Sequence, residues 1–242
     1  MDPSPADVPL AETAYMGLRA EILACRMRPS ERLKIHELCT RLNVSSGAVR
    51  EALARLHTEG LVVAEAWKGF RVAAVSAEDL DDLTRTRLTI ETDCLRRAIE
   101  MGGLEWETRL VGAVHRLSRV SEQVGSDGVF ASDEWADAHA EYHLRLVDGC
   151  DSPWLLRIRG ILFAQSERYR RLALTPRSGR DLDAEHRAIA TAALNRDADR
   201  GCKLLADHLL LTPFMVRKFA EHSGIFSHKD SRQESPSALA GR

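Results

Sequence analysis

The sequence predicts a mainly α-helical protein in two parts: three short helices closed by a small β-hairpin, then an all-helical antiparallel bundle. Apolar residues recur at three- and four-residue spacing along most of the 242 residues, while β-rich runs are confined to one stretch after Gly60. With 44% hydrophobic and 29% charged residues the chain can bury a sizeable core. No run approaches the roughly 18 uninterrupted apolar residues of a membrane span. The opening MDPSPADVPL lacks a basic region followed by an apolar stretch. A cytoplasmic protein with no membrane partner is expected.

Residues 1–10 read as a flexible N-terminus. From Ala11 to Cys25 the positions Ala14, Leu18 and Ile22 form one apolar stripe, and Pro29 stops that helix. Ile35 to Leu42 forms a second helix. Ser45 or Ser46 caps a third that runs to Gly60. LVVAE and FRVAAV, joined by a Gly-bearing turn, make the hairpin. Ser76, with Asp79 three residues on, opens a long helix to Met101 that Gly102-Gly103 closes. Further helices are expected near 104–124, 132–147, 153–174, 181–194 and 197–221. Six helices with short connections imply the antiparallel bundle. The polar stretch 227–242 reads as a disordered tail. The five cysteines are scattered without a C-x-x-C pair, which argues for reduced, structural thiols.

Three short helices and a hairpin outline a winged helix-turn-helix over residues 11–75, whose third helix enters a DNA major groove. The overall charge of −2 argues against a nucleic-acid partner, but it is unevenly spread. Between Arg19 and Arg71 there are ten Lys and Arg against six Glu, a surplus of four positive charges. The run PSERLKIHELCTRLNVSSGAVREALARLHTEGLV, followed by GFRV, resembles the DNA-binding domain of the GntR family. Pro29, Leu33, Glu37, Leu38, Val44, Ser45, Val49 to Leu53, Leu56 and Glu59 to Val62 carry the match. Ser30 replaces that family's turn glycine, and Ser46-Gly47-Ala48 replaces its Arg-Thr-Pro. The missing Arg removes a guanine contact, so base choice should differ from typical relatives. The resemblance implies His36, Ser45, Ser46, Gly47, Arg50, Lys68 and Gly69 as DNA contacts, with Arg55 a solvated helix face.

Seven of the nine histidines lie beyond residue 76. His139 and His143, four apart, share one helix face. With Tyr142, Glu185-His186 and His208, they resemble the FCD effector-binding domain of the FadR subgroup, which implies a divalent metal at the centre of residues 76–226. His139 occupies that family's Asp position. Four imidazoles, His139, His143, His186 and His208, favour zinc, with nickel or another borderline metal possible. The alternative is that loss of the carboxylate lost the metal. Arg87 and Glu91 match the family's R-x-x-x-E, and Arg87, Glu91, Arg159, Arg168 and Tyr169 are candidate effector contacts. A narrower resemblance, in elements between Glu134 and Arg170, is to subgroup members governing glutarate and 4-aminobutyrate breakdown. It implies a short dicarboxylate effector such as glutarate.

The expected partners are therefore pseudo-palindromic double-stranded operator DNA, a small carboxylate effector and a second copy of the chain in a homodimer. The competing class is a metal-dependent hydrolase of small carboxylates built on the four histidines. It needs a general base, but no H-E-x-x-H is present, and Glu185 points about 100° away from His186 around a helix. No catalytic residue is expected.

Overall fold

The computed structural model describes residues 9–120, 132–172, 181–223 and 226. The disordered-tail expectation and residues 1–8 of the flexible N-terminus lie outside the described residues. Leu10 does not belong to that flexible segment, because it already starts a helix.

The head comprises α1 (Leu10–Leu23), β1 (Arg32–Leu33), α2 (Ile35–Leu42), α3 (Ser46–Thr58), β2 (Val62–Glu65) and β3 (Gly69–Val72). Ser45 is the cap of α3, its hydroxyl accepting from the Ala48 N–H at 3.3 Å. Asn43 ends α2 in the left-handed conformation that its short side chain tolerates. Leu18, Ile22, Val49, Leu53, Leu56 and Leu61 form one buried core with the strand residues Val62 and Val72.

The hairpin is a three-stranded antiparallel sheet, ordered β1-β3-β2, in which Leu33 pairs with Phe70. Just before β1, Ser30 adopts φ +65°. Glycine takes that conformation without a Cβ penalty. Ser30→Gly should therefore stabilise the head by about 0.5–1 kcal/mol, read as a rise in chemical-denaturation midpoint.

The bundle comprises α4 (Ala77–Met101), α5 (Leu104–Arg119), α6 (Asp133–Val147), α7 (Pro153–Leu172), α8 (Leu182–Leu194) and α9 (Ala198–Ser223). Side-chain caps at Ser76, Ser132 and Asp181 start α4, α6 and α8. Leu95, Trp106, Leu110, Tyr142, Leu146, Ile189 and Leu205 fill its core. None of the described helices is long and apolar enough to cross a membrane.

Helix α7 joins the two parts. Gln165 Nε2 donates to the Glu59 carbonyl at the end of α3 at 2.7 Å, over Gly60 with its φ of +70°. Arg168 donates to the Ala73 carbonyl and to Gln165 Oε1, and its own carbonyl accepts from Cys25 Sγ at 3.4 Å. Tyr169 accepts from the Ser76 N–H at 3.2 Å and donates to the Asp79 carboxylate.

Candidate functional site

The bundle buries four histidines from three helices: His139 and His143 on α6, His186 on α8 and His208 on α9. One ligand atom from each lies within 4.8 Å of all the others. The His143 and His139 Nε2 atoms are 3.1 Å apart. Burial first, and then the neighbouring positive and imidazole groups, holds His139 and His143 well below the usual imidazole range, so both are neutral. The Nδ1 atoms of both rings are buried without a hydrogen-bond partner among the described residues.

Neighbouring groups fix these rings. Trp135 stacks on His139, 4.6 Å between centroids and 15° between planes, and the Arg170 guanidinium lies 4.9 Å from the Trp135 ring. Tyr142 donates to the His186 carbonyl at 2.9 Å. Glu185 Oε2 meets His208 Nδ1 at 2.9 Å. A carboxylate at that nitrogen places a proton on His208 Nδ1, so in the neutral ring Nε2 is the nitrogen left to ligate. Four imidazoles converging on one point, one of them oriented by a carboxylate, are a donor set that fits a zinc- or nickel-class ion.

Against this cluster lies a buried ion triad. Glu91, fully buried, accepts from Arg87 Nε and from Arg159 Nε, each at 3.0 Å. Burial alone would raise the Glu91 pKa, but Arg159 and Arg87 together hold it below the usual carboxylate range. Burial lowers the Arg87 pKa from its ordinary value. The two guanidinium groups lie 5.1 Å and 4.5 Å from the Phe163 ring, whose other ring neighbours include His143 at 5.7 Å and His139 at 6.3 Å. Within the triad two arginines face one glutamate, and the other buried carboxylate that acts on Arg87, Glu167, is itself paired with Arg170, so a buried positive charge is left. Arg159 Nη2 has no hydrogen-bond partner among the described residues. An anionic oxygen satisfies both. Phe163 also lines a groove of about 650 Å³ between α1 and the α6–α7 face.

Arg87, Glu91 and Arg159 are thus brought together beside the histidines. Arg168 and Tyr169 are not: both turn polar atoms to the joint between head and bundle, at Ala73, Ser76 and Asp79, rather than to the histidines. The sequence around Arg168 and Tyr169 gave no sign of this, since helical spacing tells which residues share a face but not what lies opposite. Phe163, one turn after Arg159, and Gln165 were not singled out from sequence.

In the head, His36, Ser45, Ser46, Gly47, Arg50, Lys68 and Gly69 are all exposed. Arg50 follows the buried Val49 and faces solvent. Arg55 differs, pairing with Glu12 and stacking on the Tyr15 ring at 3.8 Å, which ties α3 to α1. Arg50→Ala should weaken binding to a cognate duplex about 10- to 150-fold, as loss of one base-reading arginine does. Its melting temperature should not move. Gel retardation alongside a thermal melt checks both. Arg55→Ala should lower the melting temperature while sparing base preference.

Residues 82–211 match the FCD domain family model, and residues 10–72 match that of bacterial regulatory proteins, gntR family. The chain is 40% identical over 211 residues to the HTH-type transcriptional regulator BphR of Paraburkholderia xenovorans, spanning 87% of this chain and 86% of that protein. It is 34% identical over 207 residues to the HTH-type transcriptional repressor GlaR of Escherichia coli, spanning 84% and 93%. Among solved structures, E. coli McbR/YncC superposes with a TM-score of 0.72 at 20% identity, covering 87% of this chain and 98% of that one.

Proposed function

The chain belongs to the gntR family of bacterial regulatory proteins, carries an FCD domain and is a transcription regulator rather than an enzyme, and from that premise we propose that it represses a carbon-catabolism operon until a small carboxylate binds the bundle. The carrying observation is the buried Arg159 Nη2, a donor without a partner among the described residues, beside four convergent histidines. His139, His143, His186 and His208 would hold a divalent ion, zinc or nickel, which when bound supplies a Lewis-acidic anchor for a carboxylate. Arg159 and Arg87 orient the anion, and Phe163 shields it from water. A second carboxylate, as in glutarate, suits the positive charge that the two arginines leave.

The protein is proposed to act in the cytoplasm as a homodimer that places two heads on a pseudo-palindromic operator. Trp154, Ile158 and Ile161 on α7 support a partner face: they follow helical spacing and are 69%, 40% and 45% exposed. Bound effector shifts the heads away from the half-site spacing.

The test combines metal analysis of the purified chain with a thermal-shift screen of C3 to C6 mono- and dicarboxylates. A true effector at 100 times its Kd should add about 2.7 kcal/mol of stability. It should also release the duplex in gel retardation. A screen without any carboxylate response removes the effector reading and leaves DNA binding standing.

A further inference from the structure

The four histidines are closed off from solvent. His139, His143, His186 and His208 are 5%, 1%, 3% and 5% exposed, so a carboxylate reaches them only if a side chain moves. A cavity beside Arg87, between α4, α7 and α9, measures about 20 Å³, which is room for about one water. The groove between α1 and the α6–α7 face is of another order. Its volume of about 650 Å³ falls among those of small-molecule sites.

Phe163 is the partition between that groove and the histidines: it lines the groove, and its ring lies 5.7 Å from the His143 ring and 6.3 Å from the His139 ring. Small residues surround it on the groove side. Ala136 and Ala140 stand three residues before His139 and His143 on α6, and Gly160 and Ala164 line the groove with Phe163 on α7. A helical aromatic side chain lies over the turn that precedes it. For Phe163 that turn holds Arg159, whose guanidinium is 4.5 Å from the ring, and Gly160. A carbon added at Gly160 would have nothing within 4 Å of it among the described residues. The ring therefore has a second place to lie, over Gly160 and into the groove, without displacing a neighbour.

We propose that the groove is the entrance by which a small carboxylate reaches the histidines and that Phe163 is its door, turning toward Gly160 to admit the ligand and back to cover it. The proposal rests on the effector reading of the bundle and adds to it a route and the residue that sets the rate of passage. The outer wall of the route is α1, through Met16, Ala20 and Ala24. Since α1 belongs to the head, a ligand on its way to the histidines passes between the DNA-binding part and the bundle.

The test measures access with diethyl pyrocarbonate, a reagent comparable in size to a short dicarboxylate that acylates neutral imidazole. The metal-stripped full chain is treated well below its melting temperature, and peptide mass spectrometry gives the rates at His139 and His143 relative to the exposed His36. Phe163→Ala should quicken both several-fold. Gly160→Leu fills the space into which the ring turns and should slow both several-fold, whereas Gly160→Ala, which strengthens the helix about as much, should leave them near wild type. Reaction of Gly160→Leu or of Phe163→Ala at the wild-type rate overturns the proposal. So does slowing by Gly160→Ala equal to that by Gly160→Leu, since the reagent would then enter through local opening of α7. Wild-type His139 and His143 that stay unmodified while His36 reacts overturn it too. Zinc should protect both histidines. Variants ordered as expected but without protection by zinc would keep the entrance and strike the metal-centred effector reading instead.

Discussion

Glu91→Ala should lower the stability of the chain by about 3–5 kcal/mol, the usual cost of leaving buried charges without their partner. Glu91 is fully buried and is the shared acceptor of Arg87 and Arg159, so its removal strands two guanidinium groups at once. For a protein of this size that corresponds to a fall on the order of 10 °C in melting temperature. Differential scanning calorimetry of the full chain measures it. The variant also has a diagnostic chemical rescue. The vacated position between the arginines accepts a small external carboxylate, so acetate or formate should restore part of the lost stability, while chloride at equal ionic strength should not. Should Glu91→Ala melt like wild type, Glu91 does not hold the two arginines in place.

His143→Ala should lower affinity for zinc by well over 100-fold, because losing even an outer-shell partner of a ligand costs 10–100-fold. His143 is the choice because its ring neighbours those of His139, His186 and His208 together. Zinc added to the metal-stripped wild type should raise its melting temperature, and the variant should show almost none of that rise. Glu185→Gln is the graded control: it keeps all four imidazoles but weakens the Nδ1 partner of His208, so an intermediate loss is expected. Metal content by mass spectrometry reads both. A metal-stripped wild type indifferent to zinc and nickel would establish the competing form of the site, in which arginine and neutral imidazole alone receive the anion.

What the sequence disclosed divides along a physical line. Helix starts were legible because Ser45, Ser76, Ser132 and Asp181 announce caps through local chemistry. The four histidines were legible because spacing along helices, with the family likeness, was enough to group them. Strand β1 was not legible: two residues carry no alternation, and Arg32 and Leu33 become strand only through pairing with β3. Arg168 and Tyr169 were not legible as joint residues for a related reason. Their place on α7 was right, but whether that face met a ligand or the linker depended on a packing arrangement that no local signal encodes.

Helix α7 is also a crank. Phe163 and Gln165 are two residues apart, so they stand about 200° apart around its axis, one facing the histidines and the other the carbonyl that ends α3. With side chains reaching about 5 Å from the axis, a 20° roll carries each tip about 1.7 Å, in opposite directions. That travel exceeds the slack in the 2.7 Å bond from Gln165 to Glu59. Any ligand that rolls α7 by pushing on Phe163 while the head stays in place must stretch or break the tie to the end of α3.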